Sequence, residues 1–158
     1  MESLDTFDRD ILAIVQRNCQ IKAEAVASVV GLSASSVQRR LKRMRDDGTI
    51  VAELAVVDRK AAGLLMMFIA GMEIEREHYD SLLKFKAWAF KHDNIQQVYY
   101  VTGTVDIVAI ILARDAVHYD EIALQIMSEN PQIKRITTNV VLRDVKIGTY
   151  IPVDSNGA

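Results

Sequence analysis

Cysteine is almost missing from this sequence: Cys19 is the only one, so no intrachain disulfide can form, and a reducing cytoplasm is the expected setting. Proline occurs twice and glycine seven times in 158 residues. That is too little for a fibrous or low-complexity chain. Half of the residues are apolar and a quarter charged, the profile of an ordered soluble protein that folds without staples. Long hydrophobic runs are lacking as well. Leu64–Met72 and Val105–Ala113 reach only about nine residues, and Asp106 interrupts the second, against the roughly 20 a bilayer span requires. The opening MESLDTFDRD is acidic with no cationic run before an apolar stretch, so neither a targeting nor a membrane segment is expected. His78, His92 and His118 are scattered, and no Cys/His metal spacing, P-loop or nucleophile elbow occurs. These absences argue against an enzyme and leave no catalytic residue, metal site or cofactor to expect.

An excess of positive charge is lacking too, for the net charge is −2. The cations are nevertheless placed unevenly. Residues 1–62 hold ten Lys/Arg against nine Asp/Glu, and residues 63–158 hold nine against twelve. Five of the seven residues from Arg39 to Arg45 are cationic. Any basic function is therefore local.

What is present divides into two halves by period. From Asp5 to Gly48 apolar residues recur at helical spacing, which predicts three short helices. The first covers about Thr6–Arg17, with Asp5 as N-cap and Phe7, Ile11, Ile14 and Val15 facing inward. The second covers Ala23–Val30 and stops at Gly31, with Lys22 where a capping side chain would be expected. The third follows Ser33, a good N-cap, and ends near Asp46. Thr49–Val57 reads as a short strand or hairpin arm, so residues 1–57 form a winged helix-turn-helix domain and 58–63 a connector.

Residues 64–154 read as strand (Leu64–Met72), helix (Glu77–Lys91), strand (Ile95–Thr102), strand (Val105–Ala113), helix (Asp115–Glu129) and strand (Ile133–Ile147), with the DSNGA tail expected to fray. This order is the split βαβ arrangement of a ferredoxin-like α+β domain, an antiparallel four-stranded sheet with both helices on one face. Strands this apolar call for cover on both faces, so sheet-to-sheet dimerisation is expected.

A run such as QRRLKRMR is often no more than a solvated helix face. Here Val37, Leu41 and Met44 share one stripe, and Ser35, Ser36, Gln38, Arg39, Lys42 and Arg43 fill the opposite arc, with no acid before Asp46. A solvated helix ordinarily mixes Glu with Lys at i, i+4. Arg pairs bidentately with guanine, Gln with adenine and Ser with either, while Lys and the free N–H groups after Ser33 suit phosphate. The turn VGLS before the helix completes a helix-turn-helix, whose second helix enters the major groove of double-stranded DNA by its N-terminal residues.

Three stretches in this order, LDTFDRDIL (Leu4–Leu12), VGLSASSVQRRLKRMRDDGTI (Val30–Ile50) and VTGTVD (Val101–Asp106), resemble the transcriptional regulators of the Lrp/AsnC family, the leucine-responsive regulatory protein and the asparagine synthetase regulator. The likeness runs essentially end to end. It departs at Lys22, at the connector VVDRKAAG, which lacks the proline often found there, and at NPQI (Asn130–Ile133) in place of a Pro-Gly-Val type turn. The resemblance implies homodimers joined through their sheets, often assembled into octamers, and an amino acid or related small molecule as effector.

By its residues alone, TGTVD (Thr102–Asp106) is a tight hairpin with Gly103 supplying positive φ and Asp106 capping local N–H groups. An ionised Asp106 leading into IVAIIL also needs a donor, and an α-ammonium group is one. The resemblance implies that this loop holds the effector's amino and carboxylate groups: Gly103 admitting it to the backbone, Thr102 and Thr104 offering hydroxyls, Asp106 taking the ammonium. Tyr100, Thr137 and Thr138 are weaker candidates. The alternatives are a DNA-organising protein without effector, an amino-acid-sensing module for a protein partner, and one of the haem-pathway decarboxylases that share the two-domain likeness, for which the cationic arc would be superfluous.

Overall fold

A computed structural model describes residues 3–75 and 79–153. His78, the expected helix start at Glu77 and the Asp154–Ala158 tail lie outside the described residues. The chain forms two compact units, one of the residues up to Ala55 with those from Lys146 on, the other Val56–Val145. Among the described residues no helix is long and apolar enough to cross a membrane.

The first unit consists of α1 (Thr6–Val15), α2 (Ala23–Val30) and α3 (Ala34–Asp46). Asp5 caps α1 in a capping box: its carboxylate accepts from the Asp8 N–H, and the Asp8 carboxylate accepts from the Asp5 N–H. The buried stripe of α1 is Asp8, Ile11, Leu12 and Val15, spaced i, i+3, i+4, i+7. This corrects the expected stripe. A carboxylate takes the place assigned to Phe7, which is exposed and carries the Arg40 guanidinium 5.6 Å from its ring centroid. Lys22 provides no side-chain cap to α2, and Gly31 ends that helix at φ 73°, in the left-handed region that glycine enters without a Cβ clash.

At the edges of this unit the structure departs from expectation in one element and groups one segment differently. Residues 49–57 form no strand; the segment is irregular, anchored by the Ile50 N–H on the Met44 carbonyl and by Arg45 on Glu53, with Val51, Leu54 and Val56 exposed. Among the described residues no neighbouring strand meets its backbone groups, and a strand without a partner has no ladder. The C-terminal residues, assigned above to the second domain, group instead with this unit. The Gln16 side chain donates to the Ile151 carbonyl (3.1 Å) and accepts from its N–H (2.8 Å), Arg17 lies 5.2 Å from the Tyr150 ring centroid, and Val153 packs against the helical core.

The second unit holds β1 (Met66–Ile74), α4 (Tyr79–Ala89), β2 (Ile95–Tyr100), β3 (Ile107–Ala113), α5 (Ala116–Glu129) and β4 (Ile133–Val140), in a fully antiparallel sheet of order β2-β3-β1-β4. The register sorts the side chains. Phe68 with Ile111, Ala70 with Ala109 and Met72 with Ile107 face both helices and are buried with Phe85, Ala89, Tyr119, Ile122 and Ile126. Met67 with Leu112, Ile69 with Ile110 and Gly71 with Val108 face the other way. That second face is free of helices and only partly covered, Ile69 being 36% exposed. The last strand stops at Val140 rather than Ile147 because its partner is nearly exhausted: after the Val141 N–H donates to the Met67 carbonyl, only Met66 of β1 remains.

Candidate functional site

The α3 helix is positioned from both ends and from beneath. The Ser33 hydroxyl accepts from the Ser36 N–H (3.2 Å) and lies 3.1 Å from the Ser35 hydroxyl. Val37, Leu41 and Met44 are buried in the helical core. At 3.6 residues per turn, Ser35, Gln38, Arg39 and Lys42 then share an arc of about 100° on the opposite side, and all four are exposed. Ser36 and Arg43 flank this arc and are half-buried.

The cations of the helix do not share one state. Lys42 lies 2.5 Å from Asp46 one turn on, so the helix does contain one i, i+4 pair, contrary to the reading above. Both partners are largely exposed, where such a pair contributes only about 0–1 kcal/mol and yields to a competing phosphate. Arg45 bonds Glu53 through two nitrogens (2.8 and 3.2 Å). Arg40 reaches Asp5 (2.7 Å) and Asp8 (2.8 Å), and Arg43 reaches Asp8 (2.5 Å). Among the described residues no carboxylate pairs with Arg39. Arg39→Ala is therefore expected to cost about 1–3 kcal/mol on a specific site if the side chain reads a base; anisotropy titrations against specific and scrambled duplexes check this, an equal loss on both marking a phosphate contact instead.

Asp8 is the functional neighbour that the sequence reading passed over. It is 1% exposed. Burial pushes its carboxyl upward, but the hydrogen bonds from Arg43, Arg40 and the Asp5 N–H outweigh burial and hold it below the ordinary 3.8. The available signal was its i, i+3, i+4, i+7 relation to Ile11, Leu12 and Val15, which marks position 8 as inward whatever its charge.

The TGTVD loop joins β2 to β3. The Val101 N–H donates to the Asp106 carbonyl and the Asp106 N–H to the Met72 carbonyl, both at 2.9 Å. Gly103 stands at φ 131° with nothing within 4 Å of where a Cβ would be, so the backbone is approachable there. Gly103→Ala is expected to cost about 1–3 kcal/mol from backbone conformation alone, read in urea unfolding by Trp88, the only tryptophan. The Asp106 Oδ2 accepts from the Ile74 N–H (2.9 Å), which the shift of register between Glu73 and Ile74 frees from the ladder. Among the described residues nothing donates to Oδ1.

Gly103, Thr104 and Asp106 line one depression of about 380 Å³ together with Glu73, Ile74, Glu75 and Lys134. Lys134, 3.0 Å from Glu75, is an addition that only the pairing of β4 with β1 brings here. Four expected residues do not line it. Tyr100 and Thr102 are exposed outside it, and Thr137 lies opposite Gly71 on the helix-free face. Thr138 belongs to the helix side, where its hydroxyl meets the Tyr119 phenol at 2.6 Å, so packing claims it. Of the described histidines, His92 Nδ1 lies 2.8 Å from the Trp88 carbonyl with the two rings stacked, and His118 Nδ1 accepts from the Arg114 N–H.

Comparison with known proteins gives two domains as well, with the second match running on past Lys146 to residue 151. Residues 4–45 match the AsnC-type helix-turn-helix domain and residues 67–151 the Lrp/AsnC ligand binding domain. The chain is 36% identical over 151 residues to the HTH-type transcriptional regulator y4tD of Sinorhizobium fredii, covering 96% of this chain and 89% of that one. It is 26% identical over 154 residues to the DNA-binding transcriptional activator DecR of Escherichia coli, with 96% and 99% covered. In fold it is similar to an AsnC family transcriptional regulator from Agrobacterium tumefaciens (TM-score 0.90, 22% identity, 97% and 99% covered) and to the regulator NMB0573 of Neisseria meningitidis in its complex with L-Met (TM-score 0.89, 23% identity, 96% and 98% covered).

Proposed function

Because this chain belongs to the Lrp/AsnC family of transcriptional regulators, we propose that it binds specific duplex sites as a homodimer and is tuned by an amino acid held at the TGTVD loop. It is a DNA-binding regulator with α3 as its reading element. The observation that carries this is the exposed arc of Ser35, Gln38, Arg39 and Lys42 on a helix fixed by a buried core. Phosphate contacts make affinity fall steeply with salt, so a salt titration of duplex binding tests it; salt-insensitive or absent binding sinks the DNA reading. This is a binding role, and it asks no catalytic step of either unit.

Dimerisation rests on the helix-free face of the sheet, where Met67, Ile69, Val108 and Ile110 present an apolar surface of a kind that monomers rarely leave uncovered. A two-fold dimer carries two α3 helices, which suits pseudo-palindromic sites about one DNA turn, ~34 Å, or a multiple apart. Further assembly to octamers is part of the same reading, and light scattering with and without effector measures both.

For the effector, Asp106 Oδ1 supplies an acceptor for an ammonium group, Lys134 a cation for a carboxylate, and Gly103 an open backbone between them. The likeness in fold to a regulator solved with L-Met supports an amino acid. Its binding alters DNA affinity only if it differs between assembly states. Thermal-shift screening against the twenty amino acids tests this directly, since a ligand of the native state raises the melting temperature; no shift with any of them refutes the amino-acid effector.

A further inference from the structure

We infer that Asp8 is a positioning residue of the DNA-binding helix, taking Arg40 and Arg43 out of phosphate contact and turning Ser35, Gln38, Arg39 and Lys42 toward the duplex. The inference rests on the DNA reading proposed above and goes beyond it, because a charge count would assign the guanidinium of Arg43 to DNA.

The geometry is specific. Asp8 sits on α1 beneath α3, 1% exposed, and each of its oxygens is engaged. Oδ1 accepts from Arg40 (2.8 Å); Oδ2 accepts from Arg43 (2.5 Å) and from the Asp5 N–H (3.2 Å). Asp5 takes the same Arg40 nitrogen at 2.7 Å. Two carboxylates and two guanidiniums make a neutral group, so it adds no net charge to the face that meets DNA. Arg40 is 19% exposed and Arg43 34%, against 76% for Lys42. Moving the Arg43 guanidinium from Asp8 to a phosphate would strip a buried carboxylate of one of its two cationic partners, at a cost in stability that an exposed lysine does not face. Arg40 and Arg43 are also three apart on one side of α3, so fixing both to a single carboxylate sets the rotation of the helix.

Salt titration of duplex binding reads this inference separately from the DNA reading itself, since each phosphate contact contributes about 0.9 to the slope of log K against log salt. The protein, Arg43→Gln and Lys42→Ala are compared on one duplex, with circular dichroism to check folding. Arg43→Gln is expected to melt at a lower temperature yet keep the unmodified slope, while Lys42→Ala loses about 0.9 per α3 helix. A loss of about 0.9 per helix in Arg43→Gln overturns the inference, whatever Lys42→Ala does. If Arg43→Gln does not fold, the double variant Asp8→Asn/Arg43→Gln keeps the group neutral and is read the same way. Failure of the DNA reading looks different: the unmodified protein itself would then have no slope.

Discussion

Asp8→Asn is expected to destabilise the helical unit by about 3–5 kcal/mol, the range for breaking a buried ion pair by removing one partner. The amide retains one acceptor but has no charge to offer Arg40 and Arg43, which remain half-buried against it. The effect is large because stability as a whole is small, typically 5–15 kcal/mol for a domain. Acid should have the same effect on the unmodified protein. A carboxyl held below 3.8 in the folded state contributes stability that is fully present above that value and is lost as pH falls through the lower folded value. The acid-sensitive window therefore opens near pH 4 and extends downward, and Asp8→Asn should flatten it. Backbone circular dichroism is the right probe. Trp88, the only tryptophan, belongs to the other unit, so fluorescence and dichroism melts should separate in the variant.

Asp106→Asn is expected to leave the fold intact and remove the thermal shift given by an amino-acid effector. The two functions of this side chain separate because they use different oxygens and different properties. The amide oxygen can still accept from the Ile74 N–H, so the backbone at the register shift stays satisfied. The negative charge that would face an ammonium group is gone, and a hydrogen bond to a charged group contributes about 1.5–3 kcal/mol, tenfold or more in affinity. Asp106→Ala loses both, with an additional cost of roughly 1–3 kcal/mol for the orphaned Ile74 N–H. Calorimetry on the two variants distinguishes them; unchanged amino-acid binding in Asp106→Asn refutes the ammonium role.

These residues also mark how far the sequence could be read. The caps at Asp5 and Ser33, the glycine stop at Gly31, the buried stripe Val37–Leu41–Met44 and the strand-helix order of the second unit are local patterns, and the structure has them where expected. The errors are non-local. Helical position and charge placed Arg43 in the DNA-facing set, and they could not show that the carboxylate engaging it lies 35 residues earlier. Thr137 and Thr138 stood together as weaker candidates because nothing in ITTNV tells which of two adjacent threonines faces the helices; the pairing of Thr138 with Ala70 decides it. Lys134 was invisible for the same reason. Strand ends misjudged at Thr49–Val57 and Val141–Ile147 share another cause: β propensity describes a residue, whereas a strand also needs a neighbour.

The clasp between Gln16 and Ile151 bears on synthesis. A head completed by residues near position 150 is a discontinuous module, with the second unit inserted into it rather than appended. On the ribosome α1, α2 and α3 emerge first but wait for some hundred further residues before Tyr150, Ile151 and Val153 can close over them. Premature termination anywhere in the second unit thus leaves α1 without the Gln16–Ile151 hydrogen bonds and the helical core without its Val153 contact.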